Sequence, residues 1–365
     1  MYDIIKEGKA AIKIKKADKI SKEMDVFYNP IMKINRDISI LLLNAIDNKN
    51  MQIALPLAGS GIRGMRFLKE LNKNKVKSVS FNDYSAKAVA SMKNSLKLNK
   101  LKNKKKIRIH NEDANLFLLN SKGFDYIDVD PFGSSNPYLE AAIKRIARNG
   151  VLAVTNTDTA ALSGTYPKAC VRKYWSLPKR DYMMHEIGLR ILIKKVQLEG
   201  MQYEKALFPI FSYFKDHYFR IFFRCVKGKK LCDEIALEHG MFNGAGPLWL
   251  GNLFDSKLVN RMYSTLKNNN KKNSMNNSKN NEINNNYNEL LKFLKIINGE
   301  SKMNAVGFYD IHQIAKKRKL KTITKKENLI KKIRKKGFKA DSTHFSGTGI
   351  RSDIPYNKLL PLLKE

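Results

Sequence analysis

Leu55-Pro56-Leu57-Ala58-Gly59-Ser60-Gly61-Ile62-Arg63-Gly64 decides how the rest of the chain is read. An apolar run at 52–57 leads into it, a helical pattern follows, and its glycines keep a G-x-G-x-x-G spacing. Glycine tolerates positive φ and lets a ligand approach the backbone, so a strand, a tight loop and a helix are expected here. The same order of apolar run, Gly-rich or acidic turn and amphipathic helix repeats downstream. Strands are expected at 52–57, 78–82, 107–110, 126–129 and 151–155, with crossover helices at 85–98 and 138–147. That alternation predicts an α/β fold on a parallel sheet.

Outward from this core, residues 7–15 end in period-2 alternation, which predicts a strand or hairpin ahead of the main fold, and helical spacing takes over at 38–46. Residues 218–225 form an aromatic-rich strand pattern. With 365 residues the chain has room for a domain of about 200 residues and a smaller one. The expected division is 1–225, an N-terminal hairpin plus a Rossmann-like domain, and 226–365, a C-terminal α+β domain. Residues 268–288 are dominated by Asn, Lys and Ser with little to bury, so a mobile loop is expected there. Helices at 309–317 and 325–336, followed by the Gly-rich stretch 338–353, suggest a winged-helix-like segment whose basic second helix faces either phosphates or water.

Lys and Arg number 69 against 33 Asp and Glu, leaving a formal charge of +36. So large an excess points to a polyanionic partner, although codon bias toward Lys and Asn gives the same composition. The longest apolar runs, such as 38–43 and 151–154, fall far short of the roughly 18 residues a membrane helix needs. The first thirty residues carry no long apolar core and no small-residue cleavage site, so no signal peptide is expected. Three cysteines, Cys170, Cys225 and Cys232, imply no disulfide framework, and a reducing, cytoplasmic setting is the simpler expectation.

Three acidic positions follow the glycine loop. Asp83 stands 19 residues beyond Gly64 at a strand end, where a carboxylate accepts ribose hydroxyls; a helix N-cap is the other role open to it. Asp113, in Asn111-Glu112-Asp113-Ala114, either reaches an adenine amine or caps a helix. The fourth strand closes on Asp128-Val129-Asp130-Pro131-Phe132-Gly133, and a dehydrogenase has no evident use for an acid, a proline and an aromatic there. Methylation of an exocyclic base amine does. The amine lone pair is delocalised into the ring, and the Asp130 carboxylate, accepting a hydrogen bond from it, offsets the charge that develops as nitrogen attacks a methylsulfonium. Pro131 offers a carbonyl as second acceptor, and Phe132 a ring on which the base stacks. A base inside a duplex has to be extruded to reach such a site.

These residues resemble one family, the tRNA guanine-N2 dimethyltransferases of archaeal type that act on guanine 26. The likeness rests on Val26-Phe27-Tyr28-Asn29-Pro30 with Asn35-Arg36-Asp37, on Ala58-Gly59-Ser60-Gly61-Ile62-Arg63-Gly64, and on Asp128-Val129-Asp130-Pro131-Phe132-Gly133-Ser134. It continues in His185-Glu186-Ile187-Gly188-Leu189-Arg190, Gly246-Pro247-Leu248-Trp249-Leu250-Gly251 and Thr343-His344-Phe345-Ser346-Gly347-Thr348-Gly349-Ile350, so it runs along nearly the whole chain. The resemblance implies a Rossmann-like S-adenosylmethionine methyltransferase domain with tRNA as partner and a C-terminal domain that binds it. S-adenosylmethionine would lie against Arg36, Ala58, Gly59, Gly61, Arg63, Asp83, Asp113 and Ala114, with Arg36 or Arg63 pairing its carboxylate. Asp130, Pro131 and Phe132 would serve the amine, with Phe27 and Phe132 as aromatic walls around the base. No obligate protein partner is evident.

One departure is a missing four-cysteine knuckle: Cys225, Cys232 and His239 are too few and too unevenly spaced for a closed zinc site, so no metal is expected. His185-Glu186 is followed by Leu189, not His, which excludes a zincin and leaves a packed helix face. Competing readings are an amine methyltransferase acting on another guanine or adenine in RNA or DNA, a catalytically silent RNA-binding protein, and a nicotinamide-dependent oxidoreductase. If the lysines pair with phosphates, affinity for tRNA falls by about a hundredfold between 50 and 200 mM salt, as counterion release requires for a handful of contacts. Filter binding across that range checks it, and a flat response would remove the net charge as evidence of an RNA partner.

Overall fold

The computed structural model describes residues 2–15, 26–102, 106–275 and 281–363. A hairpin of β1 (Tyr2–Glu7) and β2 (Ala10–Lys15) comes first, then a 3-10 turn at Pro30–Met32 and helix α1 (Lys33–Ala45). The alternating region follows as β3 (Met51–Leu55), α2 (Ile62–Glu70), β4 (Val76–Asn82), α3 (Ala86–Leu98) and β5 (Ile107–His110). It continues through α4 (Ala114–Leu119), β6 (Phe124–Val129), α5 (Asn136–Arg145) and β7 (Ile146–Asn156). Each expected strand and both expected crossover helices are present, with ends displaced by a few residues.

The order in the main sheet is β5-β4-β3-β6-β7, continued by β9 (Tyr218–Lys227) and β8 (Lys205–Lys215). Pairing is parallel from β5 through β7, with Leu55 opposite Phe81 and Ile53 opposite Tyr126. Ile53, Ala54, Val79, Phe81, Ile127 and Val154 are fully buried, as strands covered on both faces must be. The first strand of the alternation, β3, lies between the second and the fourth. Its neighbours therefore lead off in opposite directions, and the sheet has its topological switch point there.

Two compact units divide the chain. The first takes Met1–Thr157, Val196–Phe208 and Arg220–Ile235; the second takes Asp158–Lys195, Pro209–Phe219 and Ala236–Glu365. The division is thus not a single cut at 225, because composition along the chain does not report contacts between distant segments. Helices α6 (Thr159–Leu162) and α7 (Pro167–Tyr174) belong to the second unit, and α8 (Met184–Met201) contributes its first part to it. After α9 (Lys229–Leu237) come β10 (His239–Phe242), β11 (Ala245–Trp249), α10 (Ser256–Met275) and α11 (Asn281–Glu300). Residues 268–275 and 281–288, expected as loop, therefore lie in helices, and 276–280 fall outside the described residues. The helices are anchored beyond that polar span, where Leu258, Met262 and Leu266 on one and Leu290, Leu294 and Ile297 on the other are buried at helical spacing.

The last segment runs β12 (Tyr309–Asp310), α12 (Ile311–Arg318), α13 (Lys326–Lys335), β13 (Ala340–Ser342), β14 (Gly349–Ser352) and α14 (Tyr356–Leu363). The two expected helices are α12 and α13. Its strands form an antiparallel sheet in the order β12-β14-β13, and Ile311, Leu329, Ile333, Ile350 and Leu359 share one core. Among the described residues no helix is long and apolar enough to cross a membrane.

A buried ion pair crosses the first unit. Arg220 on β9, fully buried, reaches both oxygens of Asp128 at 2.9 and 2.8 Å, and donates also to Thr155 and Ser39. Removing Arg220 leaves the buried Asp128 without its main counter-charge, and breaking such a pair typically costs about 3–5 kcal/mol. Arg220→Met is expected to lower unfolding free energy by about that much in urea titration. A loss below about 1 kcal/mol would mean that Asp128 takes up a proton or finds water instead.

Candidate active site

The ends of β3, β4 and β6 meet at the switch point; β3 runs into the glycine loop, and β4 and β6 are each followed at once by a carboxylate, Asp83 and Asp130. Asn82, the last residue of β4, donates to the carbonyls of Pro56 and Glu112 and accepts from the Glu112 amide, which stitches together the turns after β3 and β5. Asp83 comes next; one oxygen accepts the Gly59 amide at 2.8 Å and the other the Ser85 amide at 3.0 Å. The cap of α3 is Ser85, so Asp83 is not that cap; it ties the glycine loop to β4 with its carboxylate at the cavity wall. Gly61 starts α2 in the left-handed region, at φ 74°. Gly64 lets that helix lie on the sheet, since a Cβ there would come within 2.3 Å of Phe81 and 2.6 Å of Leu55.

These turns enclose a cavity of about 610 Å³, a size that suits a small-molecule ligand. On one side stand Ala58, Gly59 and Asp83; on the other, Asp130, Pro131 and Phe132. The Phe27 and Phe132 rings meet edge to face with centroids 4.3 Å apart, and Phe132 is 53% exposed, so a large aromatic surface faces open space. The turn carrying Phe132 is pinned to the end of β7: the Gly133 amide donates to the Thr157 hydroxyl at 2.7 Å, and the Thr157 amide to the Gly133 carbonyl at 2.9 Å.

Beneath the cavity lie two carboxylates and two guanidiniums. Arg63 pairs with Asp130 through one terminal nitrogen, while the other approaches Asp128 at 3.5 Å and donates to Asn35 and Ser39. Burial would push the Asp128 carboxyl up, but Arg220 and Arg63 beside it hold it below the usual carboxylate range. Tyr126 donates to Asp128 at 2.6 Å, and burial together with that carboxylate raises its phenol. Asp130 keeps 22% of its side chain exposed, so it is both anchored by Arg63 and open to the cavity.

A second ionic knot braces the opposite wall. Glu7, at the end of β1, takes Arg36 through two hydrogen bonds of 2.7 and 2.5 Å, Arg66 at 2.7 Å and the Tyr28 hydroxyl at 3.0 Å. Burial opposes its charge, but Arg36 and Arg66 prevail and lower its carboxyl from 4.5 to about 2. Burial and Glu7 push the Tyr28 phenol up to about 12.

Of the expected site residues, Phe27, Arg36, Ala58, Gly59, Arg63, Asp83, Asp130, Pro131 and Phe132 line the one cavity. Gly61, Asp113 and Ala114 do not. Asp113 caps α4, accepting the amides of Asn115 and Leu116, and Ala114 is buried in the first turn of that helix. The guanidinium of Arg63 is engaged with Asp130, Asn35 and Ser39, and that of Arg36 with Glu7. Sequence reasoning missed Glu7, Asp128, Arg220 and Thr157. Asp128 carried a signal, two residues before Asp130 on the same strand; the others have none beyond residue type. Cys170, Cys225 and Cys232 are buried thiols, with Cys225 pushed by burial up to about 11, and among the described residues no group of three or more His, Cys, Asp or Glu is placed to hold a metal ion.

Comparison with known proteins gives a consistent picture. The family profile described as N2,N2-dimethylguanosine tRNA methyltransferase matches residues 8–244 and 237–364. A Methanocaldococcus jannaschii protein named tRNA (guanine(26)-N(2))-dimethyltransferase is 38% identical over 382 residues, covering 98% of this chain and 97% of that protein. An Aquifex aeolicus protein named tRNA (guanine(26)-N(2)/guanine(27)-N(2))-dimethyltransferase is 35% identical over 398 residues, covering 100% and 96%. The structure of Trm1 from Pyrococcus horikoshii in complex with S-adenosyl-L-methionine superposes with a TM-score of 0.86 at 34% identity and full coverage of both chains.

The Glu7 knot makes stability depend on acid. A carboxyl held at about 2 in the fold and 4.5 outside it contributes about 3 kcal/mol. Because the folded value is the lower one, that contribution is complete above pH 4.5 and is lost as pH falls toward 2. Glu7→Gln is expected to lower stability at pH 7 by about this amount and to flatten the pH dependence below 4.5, measured by denaturant unfolding at several pH values. An unchanged acid slope would locate that dependence elsewhere.

Proposed function

The chain belongs to the N2,N2-dimethylguanosine tRNA methyltransferase family, and we propose on that footing that it transfers methyl groups from S-adenosylmethionine to the N2 amine of guanine 26 in tRNA, giving mono- and then dimethylguanosine. What carries the reading is the convergence of Asp130 and Phe132 with the glycine loop and Asp83 on one cavity at the sheet's switch point. S-adenosylmethionine, when bound, supplies an electrophilic methyl on a sulfonium. Its adenosine suits the loop at Ala58 and Gly59, with the open edge of the Asp83 carboxylate toward the ribose hydroxyls. Arg36, held by Glu7, supplies positive charge at the wall for a carboxylate.

The chain's own groups then prepare the amine. Asp130 accepts one N2 hydrogen and the Pro131 carbonyl takes the other, so the lone pair is aimed and the charge that grows on nitrogen meets a fixed anion. Arg63 acts through Asp130 as a positioning residue: it holds one carboxylate oxygen and leaves the other for the base. Phe132 and Phe27 receive the guanine ring, a contact worth about 1–3 kcal/mol by analogy with stacking on single strands. After the first transfer one N–H remains, so one acceptor suffices for the second. The second unit, with its basic α12 and α13, supplies surface for tRNA.

The test incubates the purified protein with methyl-labelled S-adenosylmethionine and unmodified tRNA, followed by nucleoside analysis. Label is expected in N2-methylguanosine and N2,N2-dimethylguanosine, and is expected to vanish when guanine 26 is replaced by adenine. The Aquifex relative's name makes guanine 27 the second position to map. Label in adenine, or label that survives loss of both guanines, would overturn the reading. Asp130→Asn is expected to cut turnover by about a hundredfold or more while donor binding by calorimetry persists. Loss of donor binding with turnover intact per bound donor would take Asp130 out of this role.

A further inference from the structure

We propose that the face formed by α7 and the turn after it is a single-strand RNA platform, on which an unpaired base of the substrate tRNA stacks against Trp175 while Lys168, Arg172 and Arg180 meet the flanking phosphates. The proposal rests on the reading of the chain as a tRNA-modifying enzyme and lies outside the cavity described above. From Gly164 to Arg180 the sequence holds five Lys or Arg and no Asp or Glu. Helix α7 buries Cys170 and Tyr174 and turns the opposite row outward: Lys168, Val171 and Arg172 are exposed at i, i+3 and i+4, and Trp175 follows at i+7. Lys173 pairs with Asp158, whereas Lys168, Arg172 and Arg180 have no acidic partner among the described residues.

Trp175 is built as a platform. It ends α7 in the left-handed region at φ 54°, a conformation a bulky side chain seldom takes. Lys194 secures that turn by donating to the Tyr174 and Trp175 carbonyls at 3.1 and 3.0 Å. The ammonium of Lys195 lies 3.8 Å from the indole centroid. One face of the ring is thus occupied by a cation, and yet the residue stays 54% exposed. A ring covered on one side and open on the other is what a stacking base needs, because the ring is fixed before the base arrives. Two residues on, Leu177 exchanges backbone hydrogen bonds of 2.7 and 2.8 Å with Gly246, which fastens the segment to β11. An exposed Trp beside a cationic row with no acid fits a polyanion carrying π-faces better than it fits a protein surface of mixed charge.

The experiment exploits the tryptophan content. The chain has two, and the other, Trp249, is buried. Unmodified tRNA titrated into the protein without donor is expected to quench tryptophan emission, and the quench is expected to disappear in Trp175→Phe. Trp175→Ala should raise the tRNA Kd about tenfold, and Lys168→Glu with Arg172→Glu should raise it further and lower the salt slope, with donor affinity unchanged as the check on folding. Equal tRNA affinity and equal quenching in wild type and Trp175→Phe would overturn the proposal. So would a change of oligomeric state in Trp175→Ala with tRNA affinity intact, since that marks a protein interface. Failure of the functional reading looks different: wild type would bind tRNA with quenching yet transfer no methyl to it.

Discussion

Two carboxylates two residues apart at one strand end, Asp128 and Asp130, set the terms for the first unit. Burial alone would drive the Asp128 carboxyl toward its protonated form. Arg220 answers Asp128 with two hydrogen bonds from β9, and Arg63 answers Asp130 from the helix that follows the glycine loop. The cluster is neutral in sum, each guanidinium is also tied to neutral partners, and the two cations hold the buried Asp128 carboxyl below the usual range. Strands far apart in sequence are joined by the same pairings, so this carboxylate pair is placed only by correct folding.

Similar logic recurs in the second unit. Glu186 on α8 takes the Arg351 guanidinium at 2.6 Å across 165 positions of sequence, and Arg351 continues to Glu300 at 2.8 Å. Glu300 in turn holds His344 at 2.6 Å, and burial of its carboxyl is outweighed by His344 and Arg351. The apolar core of the terminal segment is small, so these directional contacts fix how β14 and α11 meet in a way that area burial alone does not.

Charge is also distributed by role. Buried arginines each face a carboxylate, whereas Lys168, Arg172 and Arg180 are among the exposed cations of the +36 excess. Along α7 that excess coincides with an indole held by Lys195, and along α13 with an amphipathic helix whose Leu329, Ile330 and Ile333 are buried. In nucleic-acid recognition generally, charge contacts position the partner while shape and base contacts specify where it sits.

Periodicity and turn chemistry were enough to read five parallel strands, the glycine loop, and Asp83 and Asp130 as the first residues beyond their strands, because these are local consequences of side-chain alternation and glycine stereochemistry. The Asp-Pro-Phe run was legible for the same reason, its chemistry being carried by residue type at a strand end, whereas Phe27 was named only through the family resemblance. Local pattern misjudged 268–288, a polar span that continues two helices whose buried apolar rows, from Leu258 to Leu266 and from Leu290 to Ile297, lie outside it. It also could not choose between ligand contact and capping for Asp113, since both use the same carboxylate after the same strand; the fold uses it as a cap. Glu7, Thr157 and Arg220 were invisible, being ordinary residues whose partners lie 29, 24 and 92 positions away. Only the tertiary structure decides such pairings, because an ion pair in a low-dielectric interior is selected by distance in space, on which spacing along the chain carries no information.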